Sequence, residues 1–294
     1  MNLFNINTRQ ILVILGLLSI SFASMAMTKP ENVDVMDING TRIHTFHGIS
    51  NSHIIETKNA LFMIDAQFMF KHADQLKSYI ESIGKPMNMI VLSHNHPDHW
   101  FGTERLKGVA PIATSQNVID DLKTGGGRYL KVLKKKLKGQ LPEKVVVPDQ
   151  TLALGAQQWD GLEVILEEFP EQEAHHTLIV KIPSLGVLIA QDMVYNNMFL
   201  VASERSRNQH WKEQLGQLKD KESKAYPHVL TGHGKNGGPE LYQQNIDYLT
   251  DLENVMKENL SKEETTKKMI ALYPERGGKG MLQISMRNLF SKGH

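Results

Sequence analysis

Ser93 to Trp100 reads Ser-His-Asn-His-Pro-Asp-His-Trp, directly after the apolar run Met89-Ile90-Val91-Leu92. The run has the length and composition of a buried strand. Four metal-ligating side chains, His94, His96, Asp98 and His99, fall within a span of six residues just beyond it. In an extended segment His94 and His96 share one side, because side chains alternate with period two. Pro97 cannot continue a ladder, so the chain must turn there and carry Asp98 and His99 elsewhere. One short loop can then serve two ions: His94 and His96 the first, Asp98 and His99 the second. A loop of this kind belongs at the strand ends of a layered α/β protein. The chain has no cysteine, and imidazole with carboxylate suits zinc, with manganese or iron as alternatives.

The order His-x-His-x-Asp-His resembles the signature of the metallo-β-lactamase superfamily, and the resemblance covers most of the chain after residue 40. It implies an α/β fold, a four-layer αβ/βα sandwich with two metals per chain. Asn51 to Asp65 resembles the first of the family's motifs, and Gly232-His233-Gly234 after Val229-Leu230 resembles the last, which implies His233 as a ligand of the second metal. Asp65 is expected to hydrogen-bond the metal loop. Asp192 follows the strand candidate Val187 to Ala190, where the family places its metal-bridging carboxylate, usually after Gly rather than Gln191. The absence of cysteine separates the chain from the branch whose second metal uses one.

The remaining ligand to the first metal is open among Glu173, His175 and His176. The family most often uses a histidine followed by Thr or Ser, which favours His176 before Thr177. In several branches the ligand lies ten residues before the proline that ends the next strand and nineteen before the bridging residue. Counting back from Pro183 and from Asp192 gives Glu173 both times, as in the alkylsulfatase-like branch. If Glu173 is the ligand, the two histidines are left to line the pocket and bind substrate. Tyr195, three residues after Asp192, resembles a tyrosine of the lactonase branch that stabilises an oxyanion.

The resemblance implies a hydrolase that attacks a small ester, lactone or lactam with a metal-bound hydroxide oriented by Asp98. Two other readings remain: a mononuclear-iron oxidoreductase resembling persulfide dioxygenases, and a metal-dependent binding protein without turnover. The chain has 294 residues, is 40% hydrophobic and carries a formal charge of +1. That suits one large domain acting on a small molecule, with no nucleic-acid partner. Arg9, the apolar run Ile11 to Phe22 and Ala23-Ser24-Met25-Ala26 read as a signal peptide over residues 1–26. The run is short for a membrane span, so the mature chain is expected to be periplasmic or secreted, without a stable span.

Strands are expected from Val33 to Asp65, and a helix through Ala73, Leu76, Ile80 and Ile83 ends at Gly84. A further helix is expected to start at Trp100. Gly125-Gly126-Gly127 reads as a mobile hinge before an amphipathic, lysine-rich helix, which is either a lid or a solvated face. From Pro239 onward the pattern is helical, with a capping box at Ser261 and Glu264. These helices would pack on the sandwich or build a homodimer surface.

Overall fold

The alternation of side chains along each strand decides what lies between the two sheets and what faces the helices. The computed structural model describes residues 30–291; the expected signal peptide at 1–26 lies outside the described residues. Strands β1 (Val33–Ile38), β2 (Thr41–His47), β3 (Asn51–Glu56), β4 (Leu61–Ile64), β5 (Met87–Val91), β6 (Ile112–Thr114) and β7 (Gln150–Thr151) form the first sheet in that order. Its pairing is antiparallel from β1 to β4 and parallel from β4 to β7. Strands β8 (Gly155–Trp159), β9 (Leu162–Pro170), β10 (His176–Ile182), β11 (Val187–Tyr195) and β12 (His228–His233) form the second sheet, each beside its predecessor. In it β11 and β12 are parallel and the other pairs antiparallel.

Ile55, Phe62, Ile64 and Val91 point from the first sheet toward Val164, Leu178, Val180 and Ile189 of the second. Their neighbours Ile54, Met63 and Ile90 point the other way. There they meet Leu76 and Ile80 of α1 (Phe70–Ile83), Trp100 of α2 (Pro97–Trp100), Leu106 of α3 (Thr103–Leu106) and Val118 and Leu122 of α4 (Gln116–Leu133). Leu188, Ala190 and Met193 of β11 face Trp211 and Leu215 of α5 (Arg205–Glu222) and Tyr242 and Leu249 of α6 (Glu240–Met256). Met269 of α7 (Lys262–Leu272) and Leu282 and Met286 of α8 (Lys279–Ser291) complete this outer layer. The result is the expected four-layer αβ/βα sandwich with additional C-terminal helices. Each fully buried aliphatic side chain contributes about 1.5–3 kcal/mol. The Ser261–Glu264 capping box is present. Among the described residues no helix is long and apolar enough to cross a membrane.

Two local expectations are corrected. The helix expected from Trp100 is replaced by two short ones: α2 begins at Pro97, whose fixed φ and missing N–H suit the first helical position, and ends at Trp100, and α3 follows from Thr103. The glycine hinge is absent: α4 runs unbroken through Gly125, Gly126 and Gly127 from its Ser115 cap. Packing overrides the low propensity of glycine here. A Cβ at Gly126 would meet Trp100 Cζ2 at 3.2 Å, and one at Gly125 would meet Asn95 Nδ2 at 3.1 Å. The bare backbone lets α4 press against the metal loop.

Candidate metal centre

The loop after β5 and the short helix α2 present the first four candidate ligands. His94 is fully buried, and the chain turns at Pro97 so that Asp98 and His99 leave on α2. Ser50 anchors this helix by donating from Oγ to Asp98 O at 2.5 Å. Strand β11 supplies Asp192 three residues before its end, where its pairing with β12 is irregular, and the end of β12 supplies His233. A Cβ at Gly232 would lie 1.9 Å from Asp192 Oδ1, and one at Gly234, where φ is 81°, would lie 1.9 Å from Asn196 O. Glycine at 232 lets the strand end sit this close to Asp192, and glycine at 234 lets the chain after His233 turn against Asn196. Asn51 Nδ2 fixes the same turn, donating to Thr231 O and Gly234 O at 2.8 Å each.

Two groups of donor atoms result: His94, His96, Glu173 and Asp192, and beside them Asp98, His99 and His233. Asp192 touches both. Its Oδ1 lies 3.2 Å from His99 Nε2, and its Oδ2 lies 3.3 Å from His233 Nε2 and 3.7 Å from His94 Nε2. Glu173 Oε2 lies 2.7 Å from His96 Nδ1 and 3.7 Å from His94 Nε2. The structure therefore brings Glu173 into the first group. His175 and His176 are not brought there: His175 has a 56% exposed side chain beside Glu171, and His176 Nδ1 is 2.9 Å from Asp121 Oδ2 of α4.

His94 Nε2, His99 Nε2, Glu173 Oε2 and Asp192 Oδ1 are buried and make no well-directed hydrogen bond, although Glu173 Oε2 lies close to His96 and Asp192 Oδ1 close to His99. Orphaned buried polar atoms are uncommon and costly. Four of them converging, all nitrogen or carboxylate oxygen, fit divalent metal. The histidine tautomers agree. His94 Nδ1 is 2.8 Å from Ser93 Oγ, which donates to Asp65 Oδ2 at 2.6 Å. His99 Nδ1 is 2.6 Å from the same Asp65 oxygen, and His233 Nδ1 donates to Ile49 O at 2.9 Å. Each Nδ1 carries the proton, so each Nε2 presents a lone pair inward. Asp65 also lies near His94 and His99, but both its oxygens are taken by donors, so it supports the ligands rather than joining them.

The site opens over His96 and Asp98, whose side chains are 18% and 20% exposed. Tyr129 of α4 stands edge-on to His96, ring centroids 5.8 Å apart. Burial raises its phenol to about 12, with the Glu173 and Asp98 carboxylates adding to the shift. Tyr195 is buried, donates from its hydroxyl to Asp192 Oδ2 at 2.9 Å, and stacks on His233. Sequence reasoning passed over Ser93, Tyr129 and the side chain of Gln191. Ser93 stood inside the motif, but nothing in the residue order assigned its hydroxyl to Asp65.

Burial disfavours protonated His233, but the Asp192 and Asp98 carboxylates more than offset it and raise its pKa to about 10. His99 is likewise pushed well up, the carboxylates of Asp192, Asp98 and Asp65 overcoming burial. A raised folded-state pKa contributes stability that is present below the unfolded value of 6.5 and lost as pH rises through the folded value. The chelated protein is therefore expected to lose stability between pH 6.5 and about 10. The metal-loaded protein should not share this loss, because metal replaces those protons. Thermal melts across this range with and without chelator check it; a flat profile for the chelated protein would contradict it.

The model of the metallo-beta-lactamase superfamily matches residues 46–233. Among solved structures, a metallo-beta-lactamase from Pontibacter korlensis aligns with a TM-score of 0.57 at 20% identity, covering 74% of this chain and 99% of that one. The FIM-1 metallo-beta-lactamase from Pseudomonas aeruginosa, in its mono-zinc form, aligns with a TM-score of 0.57 at 14% identity, covering 74% and 95%. A double mutant of the sec-alkyl sulfatase PisA1 aligns with a TM-score of 0.59 at 14% identity, covering 89% of this chain and 51% of that one. No curated protein sequence matches the chain significantly. With the family's model spanning most of both sheets and the structural neighbours sharing its layers, the chain belongs to the metallo-beta-lactamase superfamily and is a metallo-hydrolase of that fold.

Proposed function

We propose that the chain is a binuclear hydrolase, with zinc the simplest metal, acting on a small ester, lactone or lactam. One observation carries the reading: Asp192 lies between two groups of donor atoms, with Oδ2 near His94 of the first and His233 of the second and Oδ1 near His99 of the second. His94, His96 and Glu173 would hold one ion, and Asp98, His99 and His233 the other, with Asp192 shared. Bound metal supplies Lewis acidity and hydroxide near neutral pH, lowering the pKa of water from about 15.7 to about 7. Asp98 lies at the mouth with part of its carboxylate open, placed to orient the attacking water and accept its proton. Tyr195 holds Asp192 in place; a role toward a substrate oxyanion requires that bond to be released first. Three side chains for a second ion disfavour the mononuclear-iron reading.

Glu173 in the first group, together with a sec-alkyl sulfatase among the structural neighbours, supports a sulfate ester as the second reading. The test is a panel of lactones, β-lactams, aryl esters and sulfate esters offered to zinc-loaded protein. Turnover of one class, abolished by chelation and restored by zinc, is the expected result. Two bound metals with no turnover of any class would favour a binding protein.

A further inference from the structure

Gln191 carries two local costs that ordinary packing does not require. Its φ is 46°, in the left-handed region where side chains are strained and glycine is favoured. Its side chain is buried, and its amide oxygen has no hydrogen-bond partner. Against these stands one short bond: Nε2 donates to Asp65 Oδ2 at 2.5 Å. The amide must face this way, because a carboxylate oxygen only accepts. The same Asp65 oxygen accepts from Ser93 Oγ and His99 Nδ1 at 2.6 Å each, while Asp65 Oδ1 accepts from Ser93 N at 2.7 Å. Ser93, His99 and Asp65 all follow strands of the first sheet. Gln191 belongs to the second sheet and reaches across to them.

We propose that Gln191 is a positioning residue: it fixes the Asp65 carboxylate from the opposite sheet, and Asp65 in turn aims His99 Nε2 directly and His94 Nε2 through Ser93. Strain concentrates where the surrounding structure needs a particular geometry. Asp65 and Gln67 share the condition, with φ of 63° and 72°. Adjacent residues of β11 thus perform two tasks, Asp192 as the shared ligand and Gln191 as the clamp on the residue that orients the others. Glycine at this position would relieve the backbone but leave Asp65 held from one sheet only. The inference rests on the two-metal reading above.

Gln191→Met keeps the bulk and removes the donor; Gln191→Gly removes both the donor and the strain. Full-length wild type and both variants are titrated with cobalt(II), followed by ligand-field absorption and chelator competition. Their metal-free melting temperatures are compared. Removing a partner of this kind typically weakens metal binding about 10–100-fold. That loss is expected in both variants at the ion held by His99, with a smaller loss at the ion held by His94 and an altered absorption spectrum. Metal-free Gln191→Gly is expected to melt no lower than the wild type. Unchanged affinity in both variants would overturn the proposal. So would an equal loss at both ions that tracks a fall in melting temperature, because that marks a packing role. A wild type that takes up one cobalt overturns the two-metal reading instead, and the affinity of that one ion in the variants still decides the role of Gln191.

Discussion

Asp192→Asn is expected to strip both metals and abolish turnover. The carboxylate faces His99 through Oδ1 and His233 and His94 through Oδ2. An amide offers one oxygen and no charge, so the site loses either the oxygen near His99 or the one near His233 and His94, and loses the negative charge in both cases. Burial alone would raise the pKa of Asp192, but the imidazoles of His233 and His99 overcome it and hold the group well below the usual carboxylate range. The residue is an anion among cations or protonated histidines, and asparagine cannot supply that charge. The loss should exceed the roughly 10–100-fold typical of residues that only support a ligand, in metal affinity and in kcat/KM alike. Metal content after gel filtration and steady-state rates check it. A variant that keeps both metals would remove Asp192 from its shared position.

Glu173→Gln is expected to weaken the first metal more than His175→Ala or His176→Ala. The turn between β9 and β10 explains why. Glu171 takes a φ of 55°, its N–H donates to His175 O, and Gln172 N–H donates to Ala174 O. This tight turn drives Glu173 inward and leaves His175 outside. His176, the first residue of β10, turns toward α4 and Asp121. Burial raises the pKa of Glu173 despite the opposing pull of His96, so without metal it is a carboxylate poorly compensated for its desolvation. Loss of the first metal in His176→Ala, with both metals kept in Glu173→Gln, would reverse the assignment. Equal modest losses in all three variants would also contradict it.

The loop from His94 to His99 was readable because its ligands are contiguous and Pro97 sits between the two pairs. The layers were readable where strands alternate cleanly, as at Leu61 to Ile64. Three features were not. The choice within Glu173 to His176 depended on a turn geometry that residue order does not determine. The glycines of α4 look like a hinge until Trp100 and Asn95 are seen against them. Helix α5 was not anticipated, because its buried stripe is only Trp211, Leu215 and Leu218 among polar residues. A local turn decided the first, whereas at the α4 glycines and in α5 contacts distant in sequence outweighed the local pattern.

The central claim is that one chain holds two metals around a shared Asp192. Plasma emission spectrometry of zinc-loaded, gel-filtered protein tests it most directly, with wild type beside His99→Ala. The account predicts close to two zinc ions per wild-type chain and about one in the variant, since the group of His94, His96 and Glu173 is left intact. One zinc ion in the wild type, unchanged in His99→Ala, would contradict it.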